Sequence, residues 1–324
     1  MPHIERVTEK AVVDRGFELW NREHPAFHIG DRFIDQHVYA PHDFVSVSAW
    51  GVSDEGGELI GFLLAKRLRN EIPSYAGPET GWISLLAVAG DRSDSEEIGV
   101  ELLTTAEDSL AGPGVETITF GKDIQNFLAG LPKSLQTQYD PILSAAGYEQ
   151  GASVYDVTRD ISTFERPDRV ADTLASVDVR VRRLEPEDTD TLLGFLADQF
   201  PGRWHYSAEL ASRLPGGIQQ YWGVWEGDSL VGFAGTRRCD AAVVGSNLIW
   251  GPQLADRYCA LGPIGVHENA RGNGYGLAMM AHVIETFRDE GYTQMIIDWT
   301  TIIDYYAKFG FEPFVEYIDY TKTL

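Results

Sequence analysis

The chain has 324 residues, 44% of them hydrophobic, which is enough for two domains with separate cores. It carries 49 acidic and 26 basic side chains, so its formal net charge is −23. A protein this acidic is a poor partner for DNA or RNA, because binding a phosphate backbone needs a basic surface. No apolar run approaches the roughly 18 residues of a membrane-spanning helix, so we expect neither a nucleic-acid nor a membrane partner.

Residues 1–165 are predicted to form a first domain. In chain order its elements are a strand at Ile4–Val7, helices at Glu9–Arg22 and Asp31–Tyr39, a hairpin of Phe44–Val52 and Leu59–Leu68, a strand at Trp82–Ala89, a helix at Ser95–Leu110, a strand at Val115–Gly121, and a last strand after Tyr148.

Residues 166–324 are predicted to form a second domain on the same plan, after a polar linker at 162–176. No clear pattern marks residues 239–257. The predicted elements are a strand at Val177–Leu184, helices from Glu185 to Phe200 and at Ser207–Leu214, a hairpin of Gln219–Trp225 and Leu230–Arg237, a strand at Tyr258–Val266, a helix from near Gly276, a strand at Thr293–Asp298, a short helix and final strands.

The start of the chain and its cysteines favour a cytoplasmic location. The first ten residues contain no apolar signal segment. Cys239 and Cys259 are too few for a disulfide framework and lack C-x-x-C spacing, which fits reduced thiols. The histidines, His24 and His28 among them, show no metal-ligand spacing, so we expect no metal site.

The most informative segment is the loop Arg271-Gly272-Asn273-Gly274-Tyr275-Gly276, which lies between an apolar strand and an apolar-periodic helix. Glycines let the backbone approach a ligand closely. The first turn of the helix presents unpaired N–H groups and the positive end of the helix dipole. Arg271 can add a bidentate charged contact. The loop therefore predicts a phosphate site that needs no metal ion.

Spacing separates this loop from two other phosphate-binding motifs. The dinucleotide motif G-x-G-x-x-G would need glycine at Met279, and the P-loop would need lysine at Leu277. What remains is Arg-x-x-Gly-x-Gly, followed later by Tyr-x-Lys-x-Gly-Phe at 306–311. The two motifs together resemble the GNAT N-acetyltransferase superfamily, whose pyrophosphate signature is Arg/Gln-x-x-Gly-x-Gly/Ala and whose last helix commonly ends in Leu-Tyr-x-Lys-x-Gly-Phe.

The resemblance implies an α/β fold with a mixed sheet, built as two tandem GNAT-like domains, and the transfer of an acetyl group from acetyl-CoA to an amine. Acetyl-CoA, as co-substrate, and an amine-bearing acceptor are the expected partners. The loop would bind the pyrophosphate, and the preceding strand would offer backbone N–H groups to the pantetheine arm and the thioester oxygen. The implied binding residues are Ile264, Gly265, Val266, Arg271, Gly272, Asn273, Gly274, Tyr275, Gly276 and Leu277.

The resemblance also implies that Tyr306, four residues before Gly310, protonates the departing thiolate. Tyr305 lies about 100° around the same helix and is expected to pack. The general base stays open between Asp298, a water chain, and an amine that binds already neutral. Where the family often has asparagine this chain has Trp299, which would then form a wall of the cleft.

Residues between the first two helices of the second domain are candidate acceptor contacts, because GNAT substrates often enter there. They are Trp204, His205 and Glu209, and ordinary packing or surface positions are the alternative for each.

The first domain lacks the chemistry of the second. Aligning Gly99 with Gly276 places Asp94 at the Arg271 position and Glu97 at the Gly274 position. Carboxylates there would repel a pyrophosphate. We therefore interpret residues 1–165 as a degenerate copy. For the whole chain, a non-catalytic acyl-CoA-binding or regulatory module is the alternative to an enzyme.

The acidic residues are spread along the chain, and only six of its 26 basic residues are lysines. This composition fits a protein adapted to concentrated salt, with an ordinary acidic enzyme as the alternative. Salt shortens the range of repulsion between surface charges to a few ångströms at molar concentration.

We expect the melting temperature to rise between low and molar KCl, because screening removes much of the self-repulsion of a −23 chain. Thermal unfolding across a KCl series measures this. A melting temperature that stays level or falls would contradict the salt-adapted interpretation.

Overall fold

The computed structural model describes residues 3–73, 75–112, 114–175 and 177–324. The chain forms two compact units. The first unit comprises residues 1–154 together with 315–324, and the second comprises residues 155–314. The predicted fold class, α/β with a mixed sheet, is confirmed.

The first unit is a twisted sheet with helices. Its strands run in the order β1-β2-β3-β4-β5-β13, and only the β4/β5 pair is parallel. The strands are β1 (Ile4–Val7), β2 (Val45–Ser53), β3 (Leu59–Leu68), β4 (Thr80–Val88), β5 (Thr117–Phe120), β6 (Leu131–Pro132), the start of β7 (Glu149–Asp160) and most of β13 (Glu312–Thr323). The helices are α1 (Lys10–Glu23), α2 (Asp31–Ile34), which continues as one π-turn to Tyr39, α3 (Ser95–Leu110) and α4 (Gln136–Ala145).

The second unit repeats this plan. Its strands run in the order β7-β12-β11-β10-β9-β8, and only the β11/β12 pair is parallel. The strands are β8 (Arg180–Arg183), β9 (Tyr221–Glu226), β10 (Ser229–Arg238), β11 (Tyr258–Val266) and β12 (Gln294–Thr300). The helices are α5 (Asp168–Leu174), α6 (Thr189–Gln199), α7 (Arg203–Ser212), α8 (Gly251–Leu254), α9 (Tyr275–Asp289) and α10 (Ile303–Ala307).

Two strands pair in a different unit from the one that their place in the sequence suggests. Residues 155–160 of β7 pair with β12 in the second unit, and residues 317–323 of β13 pair with β6 and β5 in the first. The division by contacts therefore falls at different residues from the predicted boundary between 165 and 166. Hydrophobic alternation identifies a strand but does not say which sheet it joins.

Several predicted elements differ in extent, and the segment without a prediction contains short helical turns. The strand predicted at Val177–Leu184 is reduced to Arg180–Arg183, which pairs only with β9. The helix predicted at Ser207–Leu214 begins earlier, at Arg203, directly after Gly202. The unassigned connection 239–257 contains a short 3₁₀ turn at Ser246–Leu248 as well as α8.

The parallel pair of strands separates early in the second unit. Strand β11 pairs with β12 only from Tyr258 to Ala260, and the rest of β11 pairs with β10 alone. A bulge at Gly262 and Pro263, opposite Gly235, marks the point of separation. We call the gap between β11 and β12 beyond Ala260 the splay.

The first unit separates at the matching place. Strands β4 and β5 pair only as far as Ile83 and Phe120, and a bulge again follows between β3 and β4. Gly61 pairs with Val88 and Gly232 with Val266, and these pairings set a common register for the two units. Ser84 and Gly262 each lie four residues before the valine of their unit, so these two positions are equivalent. Lys66 and Arg237 each lie five residues after the paired glycine, so they are equivalent as well.

Helix α9 fixes the position of the predicted phosphate loop. Its buried residues recur with helical spacing and pack into the core of the second unit with β11 and β12. The buried set is Tyr275, Met279, Met280, Ala281, Val283, Ile284 and Phe287. Because this face is fully packed, the first turn of the helix is held at the end of β11.

Candidate active site

The loop before α9 has the backbone geometry that an anion site needs. Gly272 and Gly274 both have left-handed conformations, with φ of +85° and +80°, which a residue with a Cβ rarely adopts. The first hydrogen bond of α9 runs from Ala278 N to Gly274 O. The N–H groups of Tyr275, Gly276 and Leu277 therefore lie at the positive end of a 15-residue helix.

The side chains of the loop take different directions. Arg271 Nε donates to Val266 O over 3.1 Å, which holds the exposed guanidinium beside the end of β11. Tyr275 instead points into the core and donates a short hydrogen bond to Glu226. Of Tyr275, then, only the backbone N–H faces a ligand.

Strand β11 exposes only part of its predicted backbone donors. His267 N donates to Val231 O, so by alternation the N–H of Gly265 also faces β10, while those of Ile264 and Val266 face the splay. Gly265 serves packing, since a Cβ there would lie 2.5 Å from Phe200 Cζ. The donors that the predicted pantetheine site requires are therefore Ile264 and Val266.

Tyr306 lies at the base of the splay. It is only 5% exposed, and its side chain lies in the core of the second unit. Burial, with the neighbouring Tyr305 and Asp298, raises the pKa of Tyr306 well above its usual range. The hydroxyl therefore stays protonated at neutral pH.

Asp298 lies near the end of β12, two residues before Thr300, beside the bulge. Ser246 Oγ donates to Asp298 Oδ2 over 2.5 Å, while Oδ1 faces Gly262, 3.5 Å from where a Cβ would stand. Desolvation raises the pKa of the Asp298 carboxyl, and Ser246, Arg203 and Arg237 partly offset that rise. A carboxyl with a raised pKa at an opening in the sheet is suited to proton transfer near neutral pH.

Tyr305 has a position that its sequence did not indicate. A Cβ on Gly276 would lie 2.8 Å from Tyr305 Oη and 3.7 Å from Val266 Cγ2, so the Tyr305 hydroxyl stands over the first turn of α9. The sequence predicts only a packing role for Tyr305. Its ring does contact Tyr306 and Phe309, but its hydroxyl faces the anion site.

The acceptor candidates on α7 are only partly near the site. Trp204 packs against Phe200 and Phe233, and Glu209 pairs with Arg213, so neither is directed at Asp298. The α7 residue at the site is Arg203, whose guanidinium lies 5.3 Å from the ring centre of Trp299. No sequence pattern distinguished Arg203 from its neighbours. His205 is half-buried, and its acceptor role stays a prediction.

The first unit fills the equivalent space with its own side chains. Lys66 and Asp123 are both fully buried and form an ion pair of 2.9 Å, and Ser84 Oγ donates to Asp123 over 2.6 Å. At the position of Ser84 the second unit has Gly262, which adds no side chain. In the first unit, a buried polar cluster therefore closes the gap between the separating strands. The second unit has no side chain at the position of Ser84 to close its gap in this way.

The phosphate loop also differs between the units, although not by the alignment expected from sequence. Helix α3 begins seven residues after Val88 (95 − 88), whereas α9 begins nine after Val266 (275 − 266). The first loop is thus two residues shorter, and Asp94 stands at the Gly274 position rather than the Arg271 position. An ungapped alignment could not reveal this shortening. Asp94 is held there by a 2.7 Å ion pair with Arg92.

Among the described residues, no helix is long and apolar enough to cross a bilayer. Within the same residues, no group of three or more His, Cys, Asp or Glu side chains is arranged to hold a metal ion.

Comparison with known families identifies the fold of this site. Residues 189–311 match the model of the acetyltransferase (GNAT) family. That segment contains the loop, both strands of the splay and Tyr306, and it is a GNAT domain. No curated protein matches the chain significantly in sequence.

Solved structures extend the likeness to the whole chain. A glucosamine N-acetyltransferase region of a fungal multi-domain β-N-acetylglucosaminidase superposes with a TM-score of 0.86 at 18% identity, over 99% of this chain and 38% of that longer one. A tandem GNAT protein of clavulanic acid biosynthesis gives 0.61 at 15% identity, covering 99% and 98%. A GNAT protein from Sphaerobacter thermophilus gives 0.67 at 14%, covering 99% and 95%. The whole chain therefore has the fold of tandem GNAT proteins.

We predict that acetyl-CoA binds at one site per chain and that Gly276→Glu abolishes this binding. The new side chain would enter the gap between α9 and Val266, where it would meet Tyr305 and repel the phosphates.

Arg271→Ala should weaken binding by about 1.5–3 kcal/mol, the range for a charged hydrogen bond. Titration calorimetry gives both stoichiometry and affinity.

Gly194→Glu is the matched control for this prediction. Gly194 lies in α6 of the same unit, and no atom comes within 4 Å of its added Cβ. This variant should bind like the wild type. Two equivalent sites, or unchanged affinity in Gly276→Glu, would contradict the assignment.

Proposed function

We propose that the protein is an N-acetyltransferase that transfers the acetyl group of acetyl-CoA directly to an amine, using the second unit. The observation that carries the proposal is the arrangement around the splay. The glycine loop lies at the start of α9, the N–H groups of Ile264 and Val266 face the splay, and Asp298 and Tyr306 lie near the end of β12.

The residues of the chain fit coenzyme A as a co-substrate. The N–H groups of residues 275–277 and the guanidinium of Arg271 would bind its pyrophosphate, with Gly272 and Asn273 forming the turn. The N–H groups of Ile264 and Val266 would bind the pantetheine arm and the thioester oxygen, on which negative charge develops during transfer.

The reaction needs one proton removed and one supplied. The amine nitrogen forms a bond to the carbonyl carbon, the bond from that carbon to sulfur breaks, and the sulfur leaves with the electron pair. Asp298 would accept the proton from the nitrogen, and Tyr306 would give a proton to the sulfur. The products are an amide and free coenzyme A, and proton exchange with water restores both side chains.

Asp298 is favoured as the base over a water chain because of its geometry. Its Oδ1 faces the bulge of β11 while Oδ2 is held by Ser246, and its raised pKa gives it a useful affinity for a proton. The nearby Arg203 and Arg237 limit that rise, because their positive charges favour the ionised carboxylate.

The first unit would then be a non-catalytic copy. Its buried Lys66–Asp123 pair fills the matching gap beyond the paired part of β4 and β5, and its shorter loop has Asp94 where the second unit has Gly274. We propose the functional division 1–165 for the degenerate copy and 166–324 for the catalytic domain. A purely acyl-CoA-binding module on the same fold is the second candidate function, but it gives no role to the Asp298–Ser246 bond.

The deciding experiment is a screen of amines with acetyl-CoA, following free thiol release. Glucosamine belongs in the panel because a similar structure is described as a glucosamine N-acetyltransferase. Amino acids, polyamines and peptide N-termini complete it. Turnover of any of them supports the enzyme, whereas tight acetyl-CoA binding without turnover would favour the binding module.

Tyr306→Phe should lower kcat about 10²–10⁴-fold, the usual contribution of a positioned general acid. Coenzyme affinity should hardly change, since the proton is needed only as the thiolate leaves. Tyr292→Phe is the control, because Tyr292 is also buried in the second unit but packs on Phe287. A Tyr306→Phe enzyme with normal kcat on a chemistry-limited amine would refute the role.

Asp298→Asn should remove the acid limb of the pH profile of kcat/KM. In the wild type, kcat/KM should fall as the pH drops through the raised pKa of Asp298, because the protonated carboxyl accepts no further proton. The Asn variant should be about 10²–10⁴-fold slower at neutral pH and independent of this titration. A limb that persists in Asp298→Asn belongs to another group.

A further inference from the structure

We propose that Ser246 is a positioning residue whose hydroxyl holds the Asp298 carboxylate toward the splay, so that the connection 239–257 is a working part of the site. The inference rests on the proposed function and adds a residue that no sequence pattern indicated. Its starting point is the 2.5 Å bond from Ser246 Oγ to Asp298 Oδ2.

The place of Ser246 in the fold supports this role. The 3₁₀ turn Ser246–Leu248 packs against both β11 and β12, the two strands that separate to form the splay. Ser246 is only 8% exposed. A buried hydroxyl needs a partner to offset its desolvation, and Asp298 is that partner.

The bond gives the two oxygens of the Asp298 carboxylate different roles. Oδ2 accepts from Ser246, so the carboxylate cannot rotate freely. Oδ1 is the oxygen that faces Gly262 at the bulge. Fixing one oxygen thus directs the other at the place where the β11 backbone departs from β12.

The first unit offers an internal comparison. There the hydroxyl that bonds the buried carboxylate is Ser84, which stands on strand β4 itself, at the position equivalent to Gly262. In the second unit the strand has glycine, the buried carboxyl is Asp298, two residues before the position equivalent to Asp123, and the hydroxyl comes from a different element. This arrangement keeps the carboxylate hydrogen bonded without filling the gap.

Charged and titratable groups reach Asp298 from each surrounding element. Arg203 on α7 and Arg237 on β10 favour its ionised form, and Tyr306 on α10 lies on its other side. Asp156 on β7 accepts from Trp299 N, next in the chain. The hydroxyl of Ser246 also favours the ionised form, so its loss should move the titration of Asp298 to higher pH.

The first test is the pH profile of Ser246→Ala on an amine that the wild type acetylates. The acid limb of kcat/KM should move to higher pH, with about a 10-fold loss on that limb and a smaller loss at alkaline pH. Acetyl-CoA affinity should stay unchanged. A profile like the wild type, or an equal loss at every pH with no shift, overturns the proposal.

Ser162→Ala is the matched control. Ser162 Oγ donates to Asp160 over 2.6 Å in the same unit, but at an exposed position. Its pH profile should match the wild type. If Ser162→Ala moved the acid limb as much as Ser246→Ala, the shift would not be specific to Asp298, and the proposal would fail.

A second readout needs no activity and separates failure of this inference from failure of the proposed function. The folded pKa of Asp298 is raised, so ionising it lowers stability as the pH rises from the unfolded value of about 3.9 through the folded pKa. Losing Ser246 raises that pKa further. Because the unfolded states titrate alike, the stability lost in Ser246→Ala should grow as the pH rises through the folded pKa of Asp298, which lies above about 4.

The stability loss of the control variant should change over a different pH range. The hydroxyl and N–H of Ser162 lower the pKa of Asp160. The stability lost in Ser162→Ala should therefore be fully present and constant above about pH 4, and it should shrink as the pH falls below that value. Urea unfolding between pH 3 and 8 measures both. A Ser246→Ala loss that does not grow above pH 4 overturns the inference, even for a protein that acetylates no amine in the screen.

Discussion

The early end of hydrogen bonding between β11 and β12 is the constraint on which the second unit depends. Two parallel strands that stayed paired would leave no donor free and no gap for a ligand. Here the ladder stops at Ala260, and the bulge at Gly262 and Pro263 turns β11 away. The exposed backbone is retained because β10 supports the other edge of β11.

Everything proposed to carry chemistry is arranged around that gap. Helix α9 begins where β11 ends, and its packed face holds the glycine loop in place. Asp298 lies where β12 ends, and α10 brings Tyr306 beside it. The proposed site for a polyanion is compatible with an acidic chain because the positive groups that would bind it are local. They are the end of a helix dipole and Arg271, held by Val266 O.

The two units show how one architecture supports different outcomes. Both have a parallel pair of strands that separates and a bulge beside it. Both also have a non-glycine residue of positive φ near the end of the shorter strand of that pair, Lys122 in the first unit and Trp299 in the second. They differ in what occupies the gap. A buried Lys66–Asp123 pair needs each partner to compensate the desolvated charge of the other, so such a cluster cannot easily be dismantled to admit a ligand.

Sequence alone determined the fold class, the tandem plan and the position of the glycine loop before α9, because these follow from local pattern: strand and helix periodicity, and glycines placed just before a helix. It also pointed to Tyr306 through a short motif. Only the tertiary structure decided which strands complete each sheet, that Gly265 and the side chain of Tyr275 serve packing, and that Tyr305, Arg203 and Ser246 stand at the site. These outcomes depend on contacts between residues far apart in the chain, such as Ser246 with Asp298, which no local pattern encodes.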